Sequence, residues 1–143
     1  MIVGMHPYLV TNGNGQEAVK FYEAALDAQV VAVQTFGDLP ENPEHPTPPG
    51  AENLVLNAHL KVGNMDLMLS DNFPGLPYQL GSQVTIALIL NDAKKTEEVF
   101  AKLQDGGKVD MALQETFWSP LYGQVTDKFG VQWQLSTLGS DNQ

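Results

Sequence analysis

Few side chains in this sequence could carry acid–base chemistry. There are three histidines, His6, His45 and His59, and no cysteine, so thiolate nucleophiles, disulfides and cysteine-ligated metal sites are excluded. All 7 basic residues are lysines. Because there is no arginine, the bidentate guanidinium contact with carboxylates and phosphates is excluded. We therefore predict His6 and His59 as the candidate catalytic residues.

Charge and composition restrict the partners of this chain. Its 143 residues include 17 acidic ones, which gives a net charge of −10, and such a surface repels nucleic acids and anionic membranes. The amino-terminal segment lacks the basic region and unbroken apolar stretch of a signal peptide. We expect one cytoplasmic domain over residues 1–143 that has neither nucleic-acid nor membrane partners.

The elements that position these side chains follow from periodicity. Apolar residues recur at helical spacing over residues 16–26 and again after Asp92, which is placed to cap the second helix. Strands are predicted at 5–11, 30–36, 54–62, 65–70, 84–90, 108–113, 122–127 and 131–137. The order βαβββ therefore occurs twice in an α+β fold, first over about residues 1–81 and then over about 82–143.

Within the predicted strand 54–62, apolar and polar residues alternate strictly. This pattern places Leu54, Leu56, Ala58, Leu60 and Val62 on one face of the strand, toward the core. The opposite, largely polar face carries Val55, Asn57, His59 and Lys61.

Two loops, residues 39–53 and 71–81, interrupt the predicted elements. Residues 39–53 contain five prolines and include His45, so we expect an irregular loop that covers a partner or the mouth of a cavity. Asp71 follows the strand 65–70 and is predicted to accept hydrogen bonds from turn amides.

Trp133 alternates with Gln132 and Gln134, and is therefore predicted to lie in the core.

Seven short segments, in order, carry a resemblance to a known family: Pro7-Tyr8-Leu9, Glu17-Ala18-Val19-Lys20-Phe21-Tyr22, His59-Leu60-Lys61-Val62-Gly63, Leu67-Met68-Leu69-Ser70-Asp71, Phe117-Trp118, Tyr122-Gly123-Gln124-Val125-Thr126-Asp127 and Phe129-Gly130-Val131-Gln132-Trp133. Together they resemble the vicinal-oxygen-chelate superfamily, which includes glyoxalase I, bleomycin-resistance proteins and extradiol dioxygenases, and within it the PhnB-like branch. The resemblance implies curved mixed sheets that enclose a small-molecule cavity completed by the second chain of a homodimer. It also implies a set of ligand-binding residues: Tyr8, Asn57, Lys61, Trp118, Tyr122 and Gln134.

The resemblance also makes a metal site testable residue by residue. Metal-dependent members of the superfamily hold their ion with one residue from the first and last strand of each module, typically His, Glu, His and Glu. The aligned positions here are His6, Met68, Thr85 and Gln134. Since carboxylates and imidazoles provide most of the affinity for such ions, we expect no metal and no other cofactor.

Two functions remain open at this point. One is binding of a small metabolite, of unassigned identity, without chemistry. The other is an enzyme of the lyase, isomerase or dioxygenase type that uses His6 or His59 as a base, assisted by a weakly bound divalent metal.

Overall fold

The computed structural model describes residues 1–139, and the chain divides into two units, the first from Met1 to Gln79 and the second beginning at Leu80. Residues 140–143, which the prediction assigned to the second module, lie outside the described residues. Each unit contains a strand, a helix and three further strands in that order. This confirms the predicted α+β fold of two βαβββ modules.

The first unit is one mixed sheet with one helix. Its elements are β1 (Tyr8–Thr11), α1 (Gly15–Ala25), β2 (Gln29–Thr35), β3 (Val55–Val62) and β4 (Met65–Asp71). The strand order is β1-β4-β3-β2, with β1 parallel to β4 and the other pairs antiparallel. A short 3₁₀ turn over Phe36–Asp38 begins the long loop that precedes β3.

The second unit repeats this topology. Its elements are β5 (Ile86–Leu90), α2 (Ala93–Leu103), β6 (Lys108–Gln114), β7 (Tyr122–Thr126) and β8 (Gln132–Thr137). The strand order is β5-β8-β7-β6, and β5 is again the parallel strand. Asp92 caps α2 as predicted, since its carboxylate accepts a hydrogen bond from the Lys94 N–H at 3.3 Å.

One face of each sheet packs against its helix. The core of the first unit includes Ala18 and Tyr22 from α1 with Leu60 and Leu69 from the sheet, all fully buried. In the second unit Val99 and Leu103 of α2 accompany Leu135 and the predicted core residue Trp133, which is buried. Burial alternates along β4 and β8, and we call the side of each sheet away from its helix the open face.

Asp71, at the end of β4, organises the start of α1. Its Oδ1 accepts hydrogen bonds from the N–H groups of Gly13 and Gly15, each at 2.9 Å, and from the Thr11 hydroxyl at 2.7 Å. Asn14 occupies the capping position of α1 but makes no side-chain cap, so the carboxylate of Asp71 satisfies the first helical amide instead. The predicted role of Asp71 as an acceptor for turn amides is confirmed.

The beginning of β3 corrects the predicted alternation. Val55, expected on the polar face, is fully buried, whereas Leu56, expected in the core, lines a cavity. The pairing of β2 with β3 shifts between Gln34 and Thr35, and the Val55 N–H donates to Asp71 Oδ2 at 2.8 Å. This bulge reverses the facing of the first residues of β3.

Residues 39–53 form an irregular loop, as their prolines predicted. None of the helices in residues 1–139 is long and apolar enough to cross a membrane.

Candidate functional site

The open face of the first unit brings three predicted site residues, Tyr8, His59 and Lys61, into adjacent rows. Strand pairing aligns Tyr8 with Met68 and Met68 with His59, so these three form one row across β1, β4 and β3. In the next row Lys61 pairs with Asp66. Tyr8 is half-exposed, and the other members of these rows are partly buried.

Asp66 connects the two predicted residues His59 and Lys61. Its Oδ1 lies 2.6 Å from His59 Nε2 and 2.7 Å from Lys61 Nζ. Hydrogen bonds from Lys61 and then from His59 lower the pKa of Asp66 from 3.8 to about 2. The carboxyl group is therefore ionised at every pH at which the protein is ordinarily handled.

This ionisation determines which nitrogen of His59 carries a proton. A carboxylate can only accept hydrogen bonds, so the short contact requires His59 Nε2 to be the donor. In the neutral ring the other nitrogen, Nδ1, then keeps its lone pair. The pair His59–Asp66 thus has the arrangement of an oriented general base, with Lys61 adding a positive charge beside it.

His6 lies in a different environment. Its Nε2 is 3.0 Å from the sulfur of Met68, a weak acceptor that neither orients nor charges an imidazole strongly. Although His6 precedes β1, the carbonyl of the next residue, Pro7, accepts a hydrogen bond from the Met68 N–H at 3.1 Å. The two aligned positions His6 and Met68 are therefore in contact, but the contact joins an imidazole to a thioether.

Asn57 is partly buried on β3 and pairs with Gln34 of β2. It lies one row beyond His59 on the open face, outside the cluster of His59, Lys61 and Asp66.

The open face of the second unit carries a chain of neutral hydrogen bonds. The Tyr122 hydroxyl donates to Gln134 Oε1 at 2.7 Å and accepts from Gln124 Nε2 at 3.1 Å. Gln134 Nε2 donates in turn to the Thr85 hydroxyl at 2.8 Å. Both ends of the Gln134 amide are thereby fixed, so its orientation is set by the protein before any ligand arrives.

Aromatic rings border this chain. The Trp118 ring meets Tyr122 edge to face with centroids 5.2 Å apart, and Phe117 meets Trp118 at 4.7 Å. Tyr122 is buried whereas Trp118 is 53% exposed. The predicted residues Trp118, Tyr122 and Gln134 therefore form one contiguous group.

Sequence reasoning missed two members of these groups. Asp66 was readable, because the turn Gly63–Asn64 leaves two residues between β3 and β4 and such a hairpin places Lys61 directly opposite Asp66. Gln124 was readable from its alternation with buried Val125 on the predicted strand.

The metal positions of the superfamily can be tested against these contacts. In the first unit the aligned pair is imidazole and thioether, and in the second it is hydroxyl and amide. None of these is a carboxylate, the donor that hard and borderline divalent ions need in such sites. Among the described residues, no three His, Asp or Glu side chains are grouped to hold a metal ion. The donor set therefore does not fit the ion of glyoxalase I.

Two βαβββ units, each with one helix-covered and one open sheet face, define a glyoxalase-like α+β protein. Residues 4–135 match the family model of the Glyoxalase/Bleomycin resistance protein/Dioxygenase superfamily, and the chain belongs to that superfamily. This is the vicinal-oxygen-chelate superfamily that the sequence segments resemble.

Individual relatives agree with this assignment. Protein PA1353 of Pseudomonas aeruginosa has a crystal structure with a TM-score of 0.85 and 36% identity, over 96% of this chain and 98% of that one. Protein YjdN of Escherichia coli K12 is 31% identical over 140 residues, which are 94% of this chain and 95% of YjdN. A PhnB protein of Bacillus cereus is 23% identical with a TM-score of 0.78, over 94% of this chain and 99% of that one, and shares the fold.

Proposed function

We propose that the protein binds a small organic molecule on its open sheet faces, as a homodimer and without the metal site of glyoxalase I. The observation that carries this proposal is the fixed hydrogen-bond chain of Thr85, Gln134, Tyr122 and Gln124. Preorganised polar groups beside an aromatic wall are the usual composition of small-molecule sites.

The chemistry of these hydrogen-bonded side chains favours a neutral ligand with a flat ring. Their polar groups are amides and hydroxyls, which recognise donors and acceptors without requiring a charge. Within residues 1–139 no group donates a hydrogen bond to the side-chain amide oxygen of Gln124, Oε1. This oxygen is therefore left as an acceptor for a ligand. The exposed face of Trp118 offers a surface for ring stacking.

The homodimer is supported by exposed apolar side chains on strands of the open faces. Tyr8 and Val10 of β1 are about half exposed, and Ile89 of β5 is 67% exposed. Exposed apolar side chains on an edge strand of each sheet support a subunit interface there. Sedimentation equilibrium at micromolar concentration should show a dimer, and a strict monomer would disprove that part of the proposal.

Ligand binding can be tested with three probes of equal size and different charge: benzamide, benzoate and benzylamine. We expect benzamide to shift the side-chain amide signals of Gln124 and Gln134 and the indole signal of Trp118 in ¹H–¹⁵N spectra. Gln134→Ala should weaken this binding at least about fivefold, because the fixed amide is lost. Gln104→Ala, at the end of α2, is the matched control and should leave it unchanged. Shifts scattered over other residues, or an equal effect of both variants, would refute the proposal.

A second candidate function is supported by the pair His59–Asp66. An imidazole with Nε2 fixed on a carboxylate and Nδ1 unprotonated can remove a proton from carbon next to a carbonyl group. Lys61, which lies 2.7 Å from the same carboxylate oxygen, supplies a positive charge near the developing enolate.

Proton transfer can be followed as deuterium exchange of hydroxyacetone in D₂O by ¹H NMR. If the second function is correct, the protein accelerates exchange and His59→Gln lowers the rate at least about 100-fold. Asp66→Asn should also lower the rate, because the carboxylate that orients His59 is lost. Asp110→Asn, which changes a carboxylate on β6, is its matched control and should leave the rate unchanged. No exchange above the buffer rate would eliminate His59 as a base toward this class of substrate and leave the binding function.

A further inference from the structure

The first unit contains a cavity at the Ser70 end of its open face, apart from the Gln134 hydrogen bonds and the His59 cluster. Its volume is about 650 Å³, within the range of small-molecule pockets. The buried ring of Phe36 and the strand residues Leu56 and Ser70 line it together with Phe73, which follows β4. The Pro-rich loop forms the remaining wall, with Leu39 and residues 44–48.

The loop around this cavity is attached at both of its ends. The Phe36 N–H donates to the carbonyl of Leu54 at 3.0 Å, and the Gly37 N–H donates to Glu52 at 2.9 Å. The Asp38 carboxylate closes the 3₁₀ turn by accepting from the Thr35 N–H at 2.9 Å. The prolines between these ties restrict the backbone further, since each fixes its own φ. A cavity wall held in this way loses little conformational entropy when a ligand enters.

Large apolar side chains at the cavity are exposed to solvent. Phe73 is 52% exposed and Leu39 is 48% exposed, although both line the cavity. The Phe73 ring lies 5.9 Å from that of buried Phe36, at an interplanar angle of 51°. Exposed apolar surface beside a concave pocket is typical of a ligand site, and paired rings favour an aromatic ligand.

The polar groups of the lining select the charge of that ligand. They are the carboxylates of Glu44 and Asp71, the His45 imidazole and the hydroxyls of Thr47 and Ser70. Among the described lining residues there is no lysine, so an anion would meet a carboxylate without a compensating cation. The net charge of −10 further attracts cations to the whole surface.

We propose that this cavity binds a flat aromatic cation, with its rings packed against Phe36 and Phe73 and its positive charge toward Glu44. The site is independent of the sheet-face function, since it uses no residue of the Gln134 chain or of the His59 cluster. Nothing in the superfamily's metal chemistry is needed for it.

The test uses the full chain and two fluorescent probes that each contain three fused rings. 9-Aminoacridine is a three-ring cation at neutral pH, and anthracene-9-carboxylate is a three-ring anion. Fluorescence titration should give saturable binding of the cation, at least about tenfold tighter than that of the anion. Phe73→Ala should weaken the cation at least about tenfold, because a ring contact is lost.

Glu44→Gln provides a second variant at an exposed loop position, where the fold is not at risk. It should weaken the cation about three- to tenfold and leave the anion unchanged or slightly tighter. Leu76→Ala is the matched control for Phe73→Ala, since Leu76 is a similarly exposed apolar residue of the same segment that does not line the cavity. Equal affinity for both probes, or equal losses in the Phe73 and Leu76 variants, would overturn the proposal. Because the benzamide experiment follows other residues, either proposal can fail alone.

Discussion

The open faces of the two sheets share a strand order and differ in the side chains that meet in corresponding rows. The pair Lys61–Asp66 occupies the β3–β4 row of the first unit, and the corresponding β7–β8 row of the second unit is Thr126–Gln132. One row holds an ion pair that also engages an imidazole, and the other holds an amide and a hydroxyl. Backbone pairing thus determines which positions meet, while the side chains at those positions determine the chemistry.

A second difference lies at the end of the last strand of each unit. Asp71 in β4 pairs with Thr11 of the parallel strand, and Thr137 in β8 pairs with Leu90 in the same way. Asp71 is a buried carboxylate that accepts four hydrogen bonds, three of them from backbone amides. Thr137 offers one hydroxyl, which contacts Thr96 at 2.7 Å and the Leu121 carbonyl at 2.9 Å. At this strand end the first unit therefore relies on a carboxylate with four donors, where the second unit has a hydroxyl.

The largest effect should come from Asp71→Ala. Removing the carboxylate leaves four donors without an acceptor, and we expect a loss of about 3–5 kcal/mol in the free energy of unfolding. Thr137→Ala, the matched change in the second unit, should cost about 1–2 kcal/mol. Urea denaturation followed by circular dichroism measures both. Equal losses would show that the two strand ends are energetically alike.

Gly123→Ala should be the next most damaging change. A Cβ at Gly123 would lie 2.8 Å from a ring carbon of Phe100 and 2.9 Å from a methyl carbon of Leu113, so we expect a loss of about 1–3 kcal/mol. The corresponding position of the first unit, paired with Leu69 as Gly123 is paired with Leu135, is already alanine, Ala58. A denaturation midpoint unchanged in Gly123→Ala would mean that α2 moves away from the sheet without cost.

Tyr122→Phe tests the neutral chain of the second open face. It removes the hydroxyl that joins Gln124 to Gln134 and should cost about 1 kcal/mol. The loss should be the same at low and at high salt, because no charge is involved. A strong dependence on salt would show that a charged group also takes part in these hydrogen bonds.

The smallest effect concerns the pH dependence of the first open face. The pKa of Asp66 is lowered from 3.8 to about 2, so its ion pairs stabilise the fold above the unfolded pKa and are lost as the pH falls through about 2. Lys61→Met should raise the pKa of Asp66 toward 3.8, as measured by ¹³C NMR of the side-chain carboxyl group. Lys128→Met is the control and should leave it unchanged. A pKa that does not move in Lys61→Met would assign the shift to His59.

The helices, the strands and their order were predictable because they depend on local periodicity and turn residues. Two strands are shorter than predicted by two or more residues, since β1 begins at Tyr8 and β5 at Ile86. Val55 was placed on the wrong face because its burial depends on a hydrogen bond to Asp71, 16 residues away, and on a bulge against β2. Neither this hydrogen bond nor this bulge can be predicted from the alternation within a single strand.

The candidate site was predictable in part. The positions of His6 and Met68 came from a resemblance, and the structure brings them into contact. The chain through Tyr122 and Gln134 required two strands and the segment before β5 to meet, which a pattern within one strand does not encode. The cavity beside Phe36 depends on the path of the Pro-rich loop, and prolines predict irregularity without predicting direction.

The hydrogen bonds of Asp71 have a consequence for synthesis on the ribosome. The amide of Gly15 precedes its acceptor by 56 residues, and β1 pairs with β4 across a similar span, since Thr11 pairs with Asp71. The amino-terminal helix therefore leaves the ribosome with its first turn uncapped and its parallel strand partner not yet made. We expect the nascent chain to stay unfolded until β4 has emerged from the exit tunnel, and then to close its longest loop in one late step.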